Sequence, residues 1–215
     1  MGLANAQRTL NYIRIITQFI SQPEYANVVG IFGFINEALL YDIGRPVLTS
    51  WYKEVHDTVR EITGVGAGKG PYLSVHYGFE GIMTEWDGFL AGSDRIMLDR
   101  HPYTSFSGST FDDPIATGTG PEAGGVWVAA ACAWGDETTR LSSTFGVTYA
   151  GEWSNGWNDC GYFLKGIPGS QTFGGDCGVW QDASTWDESV KAGLLAFNSA
   201  QVQHYLVPVF ASDSS

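Results

Sequence analysis

Helical and extended segments alternate along this chain, and that alternation limits its possible folds more than any other feature. Leu10, Ile13, Ile16 and Ile20 recur at three- and four-residue steps, which predicts a helix over residues 3–20. Ser21-Gln22-Pro23 ends it, because proline disfavours helix at the residue before it. The apolar run 28–35 predicts a strand, closed by Asn36-Glu37. A second helix is expected from Arg45-Pro46, with Leu48, Trp51, Val55, Val59 and Ile62 on its apolar face. Glycines between Thr63 and Pro71 stop it. Strand 72–76 follows, then a short helix with Met83, Trp86 and Leu90 on one face, then strand 95–99. A helix over 122–134, a strand over 147–151 and a final helix complete the order. Thr185-Trp186-Asp187-Glu188 reads as a capping box opening that last helix, with Val190, Leu194 and Phe197 on its buried face. Residues 205–210 form a candidate fifth strand, which Pro208 confines to an edge or a tail. Helix–strand alternation of this kind predicts an α/β protein with a parallel sheet and crossover helices.

Composition narrows the function. The net charge of -12 argues against nucleic acid and against an anionic membrane surface, both of which call for Lys and Arg. No apolar stretch is long enough to span a membrane, and the first residues lack the pattern of a signal peptide. The absence of a G-x-G-x-x-G turn after the first strand leaves a dinucleotide site unsignalled. The 8 Trp, 10 Tyr and 12 Phe suit a carbohydrate ligand, whose C–H faces stack on aromatic rings, although most are expected to fill the core. Cys160 and Cys177 share a glycine-rich stretch and can form a disulfide, which implies an oxidising compartment. Cys132 is then either a buried free thiol or paired with a cysteine outside this chain. No C-x-x-C spacing signals zinc.

Glu37, His76, His101 and Glu152 fall at or just beyond four successive strand ends. Parallel α/β folds place ligands at that end of the sheet, and a pair of carboxylates there is the hardware of glycoside hydrolysis. His76 is read equally well as a structural histidine.

Around these residues the chain resembles the fungal exo-β-1,3-glucanases of glycoside hydrolase family 5. The segments that carry the likeness are the strand ending in Asn36-Glu37; His101-Pro102-Tyr103-Thr104-Ser105-Phe106; Ala131-Cys132-Ala133-Trp134-Gly135; and Gly151-Glu152-Trp153-Ser154 followed by Asp159-Cys160. The resemblance implies part of a (β/α)8 TIM barrel, roughly strands four to seven with their helices, as a single incomplete domain over 1–210 and a polar tail over 211–215. It implies a retaining glycosidase that releases glucose from β-1,3-glucan, with Glu37 as acid/base and Glu152 as nucleophile. Asn36, His101, Tyr103, Phe79 and Phe106 are the implied substrate-binding residues. Neither metal nor organic cofactor is expected, since two carboxylates supply the proton and the covalent step. The implied location is extracellular or in the cell wall.

The chain departs from the family at Ala38, where proline is usual, and at Tyr77, where aspartate is usual. The family's strands one to three and the tryptophan of strand eight have no counterpart. An incomplete barrel exposes sheet edges, so self-association is expected. The alternative readings are an inactive truncated paralogue that binds glucan or another protein, and an endo-acting β-1,4-glucanase, against which His101-Pro102-Tyr103 argues.

Overall fold

The computed structural model describes residues 2–79, 83–106, 113–167 and 169–206. The chain divides into two compact units, Met1–Arg100 with Arg140–Tyr149, and His101–Thr139 with Ala150–Ser215.

The first unit carries helices α1 (Leu3–Ile20), α2 (Leu40–Ile43) and α3 (Arg45–Thr63) and strands β1 (Ile31–Gly33), β2 (Tyr72–His76) and β3 (Ile96–Arg100). Strand β4 (Thr148–Ala150) completes a four-stranded sheet ordered β1-β2-β3-β4. The registers are parallel, with Phe32 opposite Leu73 and Val75 opposite Leu98. The protein is therefore α/β, as the alternation predicts. Helix α3 turns Leu48, Tyr52, Val55 and Val59 inward against Leu73, Val75 and Leu98 of the sheet. Tyr52 has no exposed surface and Trp86 is 1% exposed, and burying such side chains contributes about 1.5–3 kcal/mol each. Their polar atoms are matched: Tyr52 donates to the His76 carbonyl at 3.0 Å and the Trp86 indole to the Tyr77 carbonyl at 2.7 Å.

Arg60, near the end of α3, is 6% exposed. Its guanidinium donates to the carbonyls of Pro71, Asp94 and Arg95 at 3.1–3.2 Å. These carbonyls precede β2 and β3, so a buried cation closes the N-terminal end of the sheet, sharing the Arg95 carbonyl with the Leu73 amide.

The second unit contains α4 (Gly125–Thr144) up to Thr139, α5 (Gly178–Gln181) and α6 (Glu188–Leu206). Its core is Ile115, Trp127, Ala131, Trp157, Phe197 and Ala200. Gly135 of α4 faces His204 of α6, and Gly193 of α6 faces the Ile115 backbone. A Cβ at either glycine would overlap its neighbour, so the absent side chains set how closely these segments approach.

Several expected boundaries change. The first strand shrinks from 28–35 to Ile31–Gly33, because the Val28 and Val29 amides donate to the Tyr25 carbonyl in a turn. Helix α4 starts three residues later than expected and continues past Gly135 to Thr144, since the glycine serves packing rather than termination. Helix α6 is capped by Asp187, whose carboxylate accepts from the Val190 amide at 2.9 Å, rather than by Thr185, which lies in a 3-10 turn over Ala183–Thr185. Tyr205 and Leu206 of the expected fifth strand belong to α6. The rest of that strand and the tail 211–215 lie outside the described residues.

Candidate active site

In the first unit, Asn36 and Glu37 follow β1 in the segment before α2. Asn36 is exposed and Glu37 half-buried. Glu37 has φ 47°, a left-handed conformation rare for any side chain other than glycine, asparagine or aspartate. The segment is anchored behind it, where Ala38 is 6% exposed and the Leu40 amide donates to the Gly78 carbonyl at 3.1 Å. Gly78, at φ 80°, brings the turn after β2 against Leu40 so closely that a Cβ would clash.

His76 ends β2 and is buried, with Nδ1 accepting from the Gly78 amide at 3.1 Å. That bond gives the histidine a role in shaping the turn. Phe79, at φ 60°, packs its ring on His76 and Tyr77, with centroids 4.9 and 5.4 Å apart. Tyr77 lies 8% exposed. Burial pushes its phenol up to about 12; Arg100 opposes that shift, while Glu37 and Asp99 add to it. The tyrosine therefore stays neutral.

In the second unit, His101, Tyr103 and Glu152 come together. The Tyr103 hydroxyl donates to Glu152 Oε2 at 3.1 Å, and His101 Nδ1 lies 3.6 Å from the same oxygen. The His101 side chain is 2% exposed and that of Glu152 42% exposed. A buried imidazole and a phenol thus orient one oxygen of a carboxylate that solvent still reaches. Phe106 sits edge-on to Tyr103, with centroids 5.8 Å apart, and is 52% exposed. An exposed aromatic face beside an oriented carboxylate is suited to stacking a ring-shaped polar ligand.

The segment bearing Glu152 is fixed from several sides. Buried Gln201 of α6 donates to the Ser154 carbonyl at 3.0 Å, and Ser105 donates to the Gly156 carbonyl at 3.1 Å. The Trp153 and Tyr205 rings meet edge to face at 5.9 Å. Further along, buried Asp159 accepts from the Thr172 amide and hydroxyl at 2.6 and 2.7 Å and from the Phe173 amide at 3.0 Å. Lys165 Nζ lies 3.4 Å from the same carboxylate. Burial alone would push the Asp159 carboxyl up, but these donors outweigh it and hold the group below the ordinary carboxylate range. Cys160 and Cys177 form the expected disulfide, and Cys132 is a half-buried free thiol. No helix among the described residues is long and apolar enough to cross a membrane.

The chain is 31% identical over 171 residues to a "Probable glucan 1,3-beta-glucosidase D" of Aspergillus flavus and to its namesake in Aspergillus oryzae. The match takes in 77% of this chain and 19% of each relative. The namesake in Aspergillus niger is 29% identical over the same length. The chain is a homologue of part of these fungal glucosidases. It spans about a fifth of their length. No family model matches it.

The sequence reading missed the left-handed backbone at Glu37, which residue type does not signal. It also missed a cluster formed by Trp157, Phe173 and Trp180, whose ring centroids lie 5.1–6.3 Å apart. The one local hint was Gly174-Gly175 beside Phe173, where a Cβ at Gly175 would strike the phenyl ring.

Proposed function

We propose that this chain carries the catalytic carboxylates of a retaining β-glucosidase acting on β-1,3-glucan. The observation that carries the reading is Glu152 itself, oriented by Tyr103 and His101 yet 42% exposed. A nucleophile needs both a fixed direction and an approach for the sugar. In the proposed reaction Glu37 gives a proton to the departing glycosidic oxygen while Glu152 attacks the anomeric carbon, forming a covalent glucosyl ester. Glu37 then takes a proton from water, the water opens the ester, and glucose leaves with its configuration retained. Asn36 is assigned to the sugar 2-hydroxyl, and Phe79 and Phe106 to the stacking of incoming glucose.

The sequential β1-β2-β3-β4 order, with helices between strands, supports reading the fold as strands four to seven of a (β/α)8 barrel. The disulfide supports a working location outside the cell or in the wall. The names of the curated relatives support the choice of linkage.

Glucose release from laminarin tests the reading. The chain is expected to release glucose, and Glu152→Gln is expected to abolish release. For Glu152→Gly, added azide should restore turnover of an activated aryl glucoside and give the α-glucosyl azide, because azide enters from the face the nucleophile has vacated. A β-glucosyl azide would exchange the two roles. Binding of insoluble glucan without any glucose release would replace the enzyme reading with that of a glucan-binding protein.

A further inference from the structure

Two hydrogen bonds run from the turn after β3 to the segment after β4. The Tyr103 hydroxyl donates to the Glu152 carboxylate at 3.1 Å, and the Ser105 hydroxyl donates to the Gly156 carbonyl at 3.1 Å. The donors lie two residues apart at the 3-10 turn Thr104–Phe106, and the acceptors lie four residues apart in the segment that carries Glu152. Ser105 is 3% exposed, too buried to meet a bound sugar. Tyr103 and Phe106 stand on either side of it, with their rings edge to face at 5.8 Å. Both belong to the reaction proposed above.

The Glu152 segment is moored on its other side as well. The Gly156 amide donates to the Ser154 hydroxyl at 3.3 Å, and the Ser154 carbonyl accepts from Gln201 at 3.0 Å. Gln201 belongs to α6 and has no exposed surface. Gly156 therefore sits between two serine hydroxyls. A Cβ there would lie 3.3 Å from the Ser154 oxygen and 3.4 Å from the Ser105 oxygen, so at least one hydroxyl would have to give way.

We propose that Ser105 is a positioning residue for Glu152. A single hydrogen bond lets two chain segments pivot about it, and a second bond between the same segments removes the pivot. Ser105 thus sets the approach of the Tyr103 hydroxyl to Glu152 Oε2 while remaining clear of the substrate. A hydroxyl that only satisfied the Gly156 carbonyl would behave differently. Its loss would lower stability and add independently to the loss of the Tyr103 hydroxyl, whereas members of one hydrogen-bonded network are coupled. The role in catalysis rests on the reading of Glu152 as nucleophile; the mechanical tie between Ser105 and Glu152 does not.

The test uses the 215-residue chain with its glutamate carboxyl carbons labelled with carbon-13. Glu152→Gln identifies the Glu152 resonance by its loss. Tyr103→Phe should move that resonance, Ser105→Ala should move it in the same direction, and the double variant should move it no further than Tyr103→Phe alone. On an aryl β-glucoside, Ser105→Ala should lower kcat about tenfold. In the Tyr103→Phe background the same change should cost less than about twofold. Gly156→Ala crowds the Ser105 hydroxyl without removing it, and is the second variant if Ser105→Ala does not fold, with the same expected direction. A Glu152 resonance that ignores these substitutions overturns the proposal, as do losses of kcat that simply multiply in the double variant. A chain that turns over no glucoside yet shows the expected resonance shifts defeats the proposed activity and leaves the positioning role standing.

Discussion

The Tyr103 hydroxyl reaches Oε2 of Glu152 across 3.1 Å, which ties the direction of an accessible carboxylate to the turn that follows β3. The imidazole of His101 approaches the same oxygen, so one edge of the carboxylate is engaged from two sides.

Tyr103→Phe removes the hydroxyl and keeps the ring against Phe106. On the proposed function, kcat/KM on an aryl β-glucoside should fall about 10- to 100-fold, because a loosened Glu152 spends less time in line with the anomeric carbon. Stability should change by about 1 kcal/mol or less, as read from urea melts. Unchanged kinetics would remove Tyr103 from the positioning of Glu152.

Asp159→Asn tests the loop that carries Phe173. The folded-state carboxyl lies below its unfolded value of about 3.9, so its bonds contribute fully above that pH and are lost as the pH falls through the folded value. The variant should be less stable than the parent at pH 7 by about 2 kcal/mol. That difference should narrow below about pH 4. A gap that stays constant or widens on acidification contradicts the assignment.

Gly193→Ala gives opposite signs in two pictures. Helix propensity alone predicts a gain of about 1 kcal/mol. The Ile115 carbonyl occupies the position of the new methyl group, so we expect a loss of about 1–3 kcal/mol instead. Chemical denaturation decides between them.

Several apolar side chains of the first unit stand exposed. Ile31 on edge strand β1 is 47% exposed, and Ile15 and Phe19 of α1 are 60% and 51% exposed. Unpaired edges and apolar patches associate. Light scattering should therefore find species larger than a monomer, with the monomer fraction raised by Ile15→Lys combined with Ile31→Lys. A monodisperse parent chain with a cooperative melt would rule this out.

Regular periodicity made several elements legible before any coordinates. The α1 limits match the expected helix, as do Arg45 at the start of α3 and both ends of β2. Tertiary demands moved the others. The helix expected over 122–134 runs on through Gly135, whose missing side chain leaves room for His204. Val28 and Val29 look like strand yet are taken by a turn. The grouping of His101, Tyr103 and Glu152 was legible through their motifs. Trp157, Phe173 and Trp180 were not, because a disulfide and a buried carboxylate, rather than any sequence period, assemble them.

The Arg60 clamp grips the sheet where β2 and β3 begin, whereas His76 ends β2 and Glu37 lies beyond the far end of β1. On the proposed function, folding and the Glu37 acid fall at opposite poles of the first unit. A lineage that had lost its substrate would be free to vary at one pole while staying bound at the other, and a mutational scan should sort into damage seen as insoluble chain and damage seen as silent but well-folded chain.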